Sequence, residues 1–175
     1  ISKSALLHNI RQYKNAVPQG TLLAPVIKSN AYGHGLKEVA SILNQTDLVD
    51  YICVVSLSEA LLLRKQKITK PLLVLSILDS PLEQALLNNI DVVVHDSYSL
   101  NFIIKAVTKT QSKAHIHIKI DTGLSRLGIH YTQALEFIEK CSKTPGIKIQ
   151  GIFSHYVDAE DTNPLICPVQ QTRFN

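Results

Sequence analysis

Residues Pro25 to Gly35 read PVIKSNAYGHG. An apolar, β-rich run, Leu22 to Ile27, leads into one lysine, Lys28. Small and polar residues follow at once, with Gly33 and Gly35 bracketing His34. The run predicts a first strand, Leu22 to Lys28, with the lysine at its exit. An ammonium among buried strand residues is costly unless it is paired or deprotonated. A lysine whose pKa is lowered in this way is a nucleophile toward carbonyl carbons. The stretch equally allows Lys28 to be the first solvated residue after a strand.

Outward from this stretch, helical and strand patterns alternate. Ser2 or Ser4 suits the cap of a first helix with Ala5, Leu6, Ile10, Tyr13 and Val17 at helical spacing, ended by Pro18 and Gly20. After Lys28 the pattern predicts a helix Leu36–Leu43, a strand Tyr51–Val55 and a helix Ser58–Lys65. A strand Leu72–Leu75, a short helix Pro81–Asn88, a strand Asp91–Val94 and a helix Leu100–Thr108 come next. The series ends with a strand His115–Ile120, a helix Thr132–Ser142, a strand Lys148–Phe153 and the start of a sixth helix. Alternation of this kind predicts parallel βαβ units. No glycine-rich dinucleotide fingerprint follows the first strand, so a (β/α)8 TIM-type barrel is expected rather than a doubly wound sheet. A whole barrel takes about 250 residues and eight strands. Six strands are read before Asn175, so the expectation is about the first six βα units, which should not close a barrel as written.

The 175 residues are 45% hydrophobic and 18% charged, a globular profile long enough for a sizeable core. The net charge of +4 comes from scattered lysines with no interleaved aromatic stripe, so nucleic acid is not implied. No run of about 18 apolar residues suggests a membrane span, and no basic-then-apolar leader is read. The chain starts at Ile1, so a true beginning upstream is expected. Cys53, Cys141 and Cys167 are odd in number and form no CxxC pair, which reads as a reducing cytoplasm.

Two further constellations carry chemistry. HIHIKIDTGLSRLG, His115 to Gly128, puts His115, His117 and Lys119 on one strand face and Ile116, Ile118 and Ile120 on the other. The isoleucines should pack on helices and the polar set should point into the barrel, where it needs partners. The following loop carries Asp121, Gly123 and Arg126. A guanidinium there offers fixed donors to an oxyanion. The bland alternative is an ordinary βα loop with a surface arginine. His115 and His117 with Asp121 could start a zinc site only if a further ligand came from elsewhere, and no metal is expected. SHYVDAED, Ser154 to Asp161, follows the last strand, and His155 taken alone reads as a satisfied histidine at a strand end.

These three segments resemble alanine racemases in order. PVIKSNAYGHG is similar to that family's cofactor-lysine signature VVKANAYGHG, with Ser29 in place of an alanine. KIDTGLSRLG resembles KVDTGMGRLG, with Leu124 and Ser125 changed and Arg126 in register. SHYVDAED resembles THFAxAD, with Val157 and Glu160 in place of alanine and aspartate. The resemblance implies an isomerase of fold type III that interconverts L- and D-alanine with pyridoxal 5'-phosphate (PLP) and supplies D-alanine for peptidoglycan. It implies that Lys28 carries the cofactor and serves as one of two bases, that Tyr32 binds its phosphate, and that Arg126 donates to its phenolic oxygen. Lys119 would be carbamylated and orient that arginine, and His155 would lie against the pyridine ring. It further implies a cytoplasmic homodimer whose second base is a tyrosine from the partner's C-terminal β-domain. Residues 1–175 then correspond to the N-terminal part of the barrel, without the β-domain, and should be inactive alone. A broad-specificity or serine racemase of the same family remains open. A non-catalytic PLP-binding barrel protein is a further alternative, although such proteins lack the AYGHG and DTGxxRLG texture.

Overall fold

Helices and parallel strands alternate through two units, Ile1–Asp91 and Val92–Asn175, in a computed structural model that describes residues 1–160 and 165–175. In the first unit, α1 (Lys3–Ala16) starts at Ser2, whose hydroxyl accepts the Ala5 N–H at 3.3 Å. The helix stops two residues short of Pro18, which disfavours helical backbone in the residue before it. Of its expected apolar face Ile10 is buried, whereas Tyr13 lies exposed. Lys14 anchors the helix end, donating to Thr21 O at 2.8 Å and to the Asp50 carboxylate at 3.3 Å.

The expected strand Leu22–Lys28 is reduced to one parallel bridge, Val26 to Cys53. Ile27 N–H donates to Cys53 O at 2.8 Å and Cys53 N–H to Pro25 O at 2.9 Å. The ladder fails upstream for two reasons. Pro25 has no N–H to give, and the Leu23 N–H goes to the Asp50 carboxylate at 2.7 Å. A single turn, α2 (Lys28–Tyr32), follows directly, and then α3 (Leu36–Asn44), which buries Leu36, Val39, Ala40 and Leu43. The strand β1 (Ile52–Ser56) pairs with β2 (Leu72–Ile77) in the register Ile52 to Leu72 and Val54 to Val74. β1 is buried along most of its length and β2 over its first half, as strands covered by helices should be. Between them runs α4 (Leu57–Lys65), and α5 (Leu82–Leu87) follows β2, with Pro81 just outside its first turn. Arg64 draws in the loops after these helices, donating to Ile68 O and Lys70 O at 2.8 Å and to Asn88 O and Asn89 O at 3.0 Å.

β3 (Ile90–Val94) leads into the second unit. There α6 (Ser97–Thr110) opens on a reciprocal cap between Asp96 and Ser99. β4 (Ala114–Asp121) pairs with β3 through Val92 to Ile116 and with β6 (Ile147–Phe153) through Ile118 to Ile152. The alternation read in β4 holds through Ile118, with Ile116 and Ile118 buried and His115 and His117 half-buried, but Lys119 is buried along with Ile120. A two-residue strand, β5 (Ile129–His130), lies beside Ile120 and Asp121 and was not expected. The expected helix Thr132–Ser142 divides into a 3-10 turn, Tyr131–Gln133, and α7 (Ala134–Ser142). The final helix is α8 (Ile166–Phe174). Among the described residues six strands are present, but Ile129–His130 takes the place read for Leu22–Lys28. Parallel strands alternating with helices form part of an α/β barrel, as expected. No helix among the described residues is long and apolar enough to cross a membrane.

Candidate active site

Lys28 leaves the extended segment half-buried and enters backbone that few side chains adopt. Ser29, Asn30, Ala31 and Tyr32 have φ of 53°, 56°, 52° and 54°, a turn of left-handed helix. For L-residues this conformation costs about 1–2 kcal/mol each, less for asparagine. Such a run persists only where its surroundings over-determine it. Here they do. Ala31 N–H donates to Ile27 O at 2.9 Å, and Asn30 O accepts from Gly33 at 3.1 Å and Gly35 at 2.9 Å. The Asn30 side chain accepts the Leu36 N–H at 2.8 Å, filling an orphan donor of α3. The Ser29 N–H donates to Glu59 Oε1 at 2.7 Å. Ala31 packs its methyl inside and Tyr32 stands exposed, with Lys28 Nζ 6.0 Å from the centre of its ring. The structure thus brings Lys28 and Tyr32 together.

In the second unit the residues after β4 and β6 form one network. Lys119 is buried, with Nζ 5.7 Å from the Phe153 ring centre. Asp121 Oδ1 accepts from Gly123 N–H at 2.9 Å and Ser125 N–H at 3.0 Å, shaping the loop that presents the exposed Arg126. Burial pulls the Asp121 pKa up, but the Ser125, Gly123 and Leu124 amides together outweigh it and hold the carboxyl below its ordinary value. Gly128, at φ 135°, turns the chain back so that β5 lies against β4.

Thr122 is buried, its hydroxyl 2.8 Å from Ser154 Oγ, which in turn donates to Ile120 O at 2.8 Å. Gln170 of α8, also buried, completes the set. It donates to Thr122 Oγ1 and to His155 O at 3.0 Å each and accepts the Val157 N–H at 2.8 Å. A cavity of about 390 Å³ opens beside this network, lined in part by Thr122, Phe153, Ser154, Tyr156 and Phe174. The His155 side chain is exposed, and its main chain is fixed through Gln170. Sequence reasoning missed Gln170, because a glutamine on a short helix with no apolar stripe carries no pattern that marks it as interior. Asp161, the last residue of the third motif, lies outside the described residues. No group of three or more His, Cys, Asp or Glu among the described residues is placed to hold a metal ion.

Parallel strands alternating with helices define part of an α/β-barrel domain. The family described as "Alanine racemase, N-terminal domain" matches residues 1–175, and the chain belongs to it. It is 35% identical over 181 residues to an alanine racemase of Geobacter sp. (strain M21), covering 100% of this chain and 48% of that protein. It is 37% identical over 176 residues to an alanine racemase of Mannheimia succiniciproducens, covering 99% and 48%. Among solved structures, an alanine racemase of Clostridium difficile 630 in complex with cycloserine superposes with a TM-score of 0.88 at 30% identity, over 96% of this chain and 46% of that one. The chain spans about half the length of the curated relatives it matches.

Proposed function

We propose that the full-length protein carrying this chain interconverts L- and D-alanine with pyridoxal 5'-phosphate held on Lys28. The observation that carries the reading is the strained turn at Lys28, since costly backbone of this kind clusters at functional sites. Each of the residues that the resemblance singles out suits one part of a phosphorylated aromatic aldehyde. Lys28 would offer an amine to the carbonyl carbon, Tyr32 a hydroxyl to the phosphate, Arg126 a guanidinium to the phenolic oxygen and His155 a flat face to the ring. When bound, the cofactor supplies an electron sink that acidifies the Cα–H of an amino acid. Lys28 takes or returns the proton on one face of Cα, and a second base serves the other. Lys119, buried near the end of β4, is the candidate for carbamylation, which would turn a buried cation into an anion able to orient Arg126. A cytoplasmic homodimer belongs to the same proposal and is supported by the family alone.

The test uses the full-length protein, loaded with pyridoxal phosphate, reduced with borohydride and mapped by peptide mass. A pyridoxyl label on Lys28, with L-alanine racemised faster than L-serine in polarimetry, is expected. A label on another lysine would refute the assignment, and a preference for L-serine would replace alanine as the substrate.

A further inference from the structure

Lys28 lies between two anchored peptide groups. On one side Ile27 N–H donates to Cys53 O at 2.8 Å. On the other Ser29 N–H donates to Glu59 Oε1 at 2.7 Å. Glu59 sits in the first turn of α4, and its other oxygen accepts from Val55 N–H at 3.0 Å and Ser56 N–H at 3.4 Å. One carboxylate therefore joins the start of the left-handed turn to the exit of β1. A strand ladder cannot do this work, because the pairing around Lys28 has shrunk to the single Val26 bridge.

We propose that Glu59 is a positioning residue for Lys28: by bridging Ser29 N–H to Val55 and Ser56 N–H, it sets where the lysine leaves the backbone and keeps the left-handed turn from relaxing. The inference rests on the reading of Lys28 as the cofactor lysine. Hydrogen bonds to an ionised acceptor are roughly twice as strong as neutral ones, and this one meets three main-chain donors. Without it the Ser29 amide loses its acceptor, and the peptide after Lys28 is free to return to ordinary backbone. A glutamine in its place keeps one accepting oxygen and turns an NH2 group toward the remaining donors, so it restores part of the bridge. Ser56 provides the control. Its hydroxyl caps α4 through the Glu59 N–H at 3.2 Å and makes no bond to Ser29, so its loss weakens the helix start and leaves the bridge.

The experiment compares Glu59→Ala, Glu59→Gln and Ser56→Ala in the full-length protein. It reads hydrogen exchange of the Ser29 amide, the rate at which added pyridoxal phosphate and borohydride label Lys28 in cofactor-free protein, and kcat and KM for L-alanine. Displacement of a reacting group by about 1 Å can cost on the order of a hundredfold in rate. In Glu59→Ala, Ser29 exchange should quicken by about tenfold or more, labelling should slow, and kcat should fall about ten- to a hundredfold with KM moved much less. Glu59→Gln should fall between, and should report on the bridge if the alanine variant does not fold. Ser56→Ala should lower Tm and leave all three readouts near their original values. Unchanged Ser29 exchange and Lys28 labelling in both Glu59 variants would overturn the inference while leaving Lys28 as the cofactor lysine. The same effects in Ser56→Ala at equal loss of Tm would also overturn it. A label on another lysine in the unmutated protein would overturn the cofactor reading, and this inference with it.

Discussion

Replacing Gly128 by alanine should destabilise the fold by about 2–4 kcal/mol, most of it from main-chain collision and backbone strain. At φ 135° a Cβ would lie 2.7 Å from Asp121 N, 2.9 Å from Ile120 C and 3.2 Å from Asp121 Cα. None of these atoms is the free end of a flexible side chain. They belong to the segment where Ile120 pairs with Ile129 and Asp121 with His130, so making room means parting β4 from β5. The dihedral strain adds about 1–3 kcal/mol. The lower entropy of an alanine-containing unfolded chain returns about 0.4–1 kcal/mol. Gly20→Ala isolates the conformational part, because Gly20 has φ 88° and nothing within 4 Å of its Cβ position. Urea unfolding of the full-length protein, followed by circular dichroism and extrapolated linearly, measures both variants. Gly128→Ala should lose at least about 1 kcal/mol more than Gly20→Ala. Equal losses, or a Gly128→Ala midpoint at the unmutated value, would refute the claim that the main chain at Ile120 and Asp121 cannot yield.

Asp50 supplies a pH-dependent contribution whose sign follows from its pKa. The Leu23 N–H, aided by Lys14 and Lys70, holds its carboxyl below the ordinary value against the opposing effect of burial. Its stabilisation is therefore complete above the unfolded carboxylate pKa of about 3.9 and is lost as pH falls through the lower folded value. The stability gap between the protein and Asp50→Asn should shrink on acidification through that window. A gap that stays constant in acid unfolding curves would refute the assignment. The three cysteines should separate in reactivity. Burial, with the Asp91 charge adding to it, pushes the Cys53 thiol up to about 12, and burial pushes Cys141 to about 11, whereas Cys167 is partly exposed. Maleimide at neutral pH should label Cys167 in the folded protein and the other two only after unfolding; labelling of Cys53 at the Cys167 rate would contradict that burial.

The elements whose signals are local were legible in the sequence. α3 could be read from the spacing of Leu36, Val39, Ala40 and Leu43, and β4 from its alternating isoleucines. The segment before Lys28 could not, because its apolar residues suit a strand while its ladder is lost to Pro25 and to a carboxylate at Asp50. The left-handed turn was hidden for a similar reason. Nothing in Ser29, Asn30, Ala31 and Tyr32 demands positive φ, and the groups that hold it include Glu59, thirty positions along the chain. β5 is too short for any period to show, and the role of Gln170 depends on contacts with Thr122, His155 and Val157. The motifs marked Lys28, Tyr32, Lys119, Arg126 and His155 through resemblance, and the residues that brace their neighbourhoods came from the structure.

The guanidinium of Arg64 has a consequence for how this chain tolerates insertion and exchange. Four carbonyl oxygens from two successive helix-to-strand connections converge on it, Ile68 and Lys70 from one and Asn88 and Asn89 from the other. Surface loops usually absorb added residues at little thermodynamic cost. These two do not have that latitude, since one residue added to either shifts carbonyls that a rigid planar fork must meet together. Their lengths are coupled, and a chimera that imports the first connection from a relative has to import the second with it, or replace Arg64. Segment exchange within this domain thus has a natural unit running from α4 to the start of β3, and cut sites placed between the two connections are the ones to avoid.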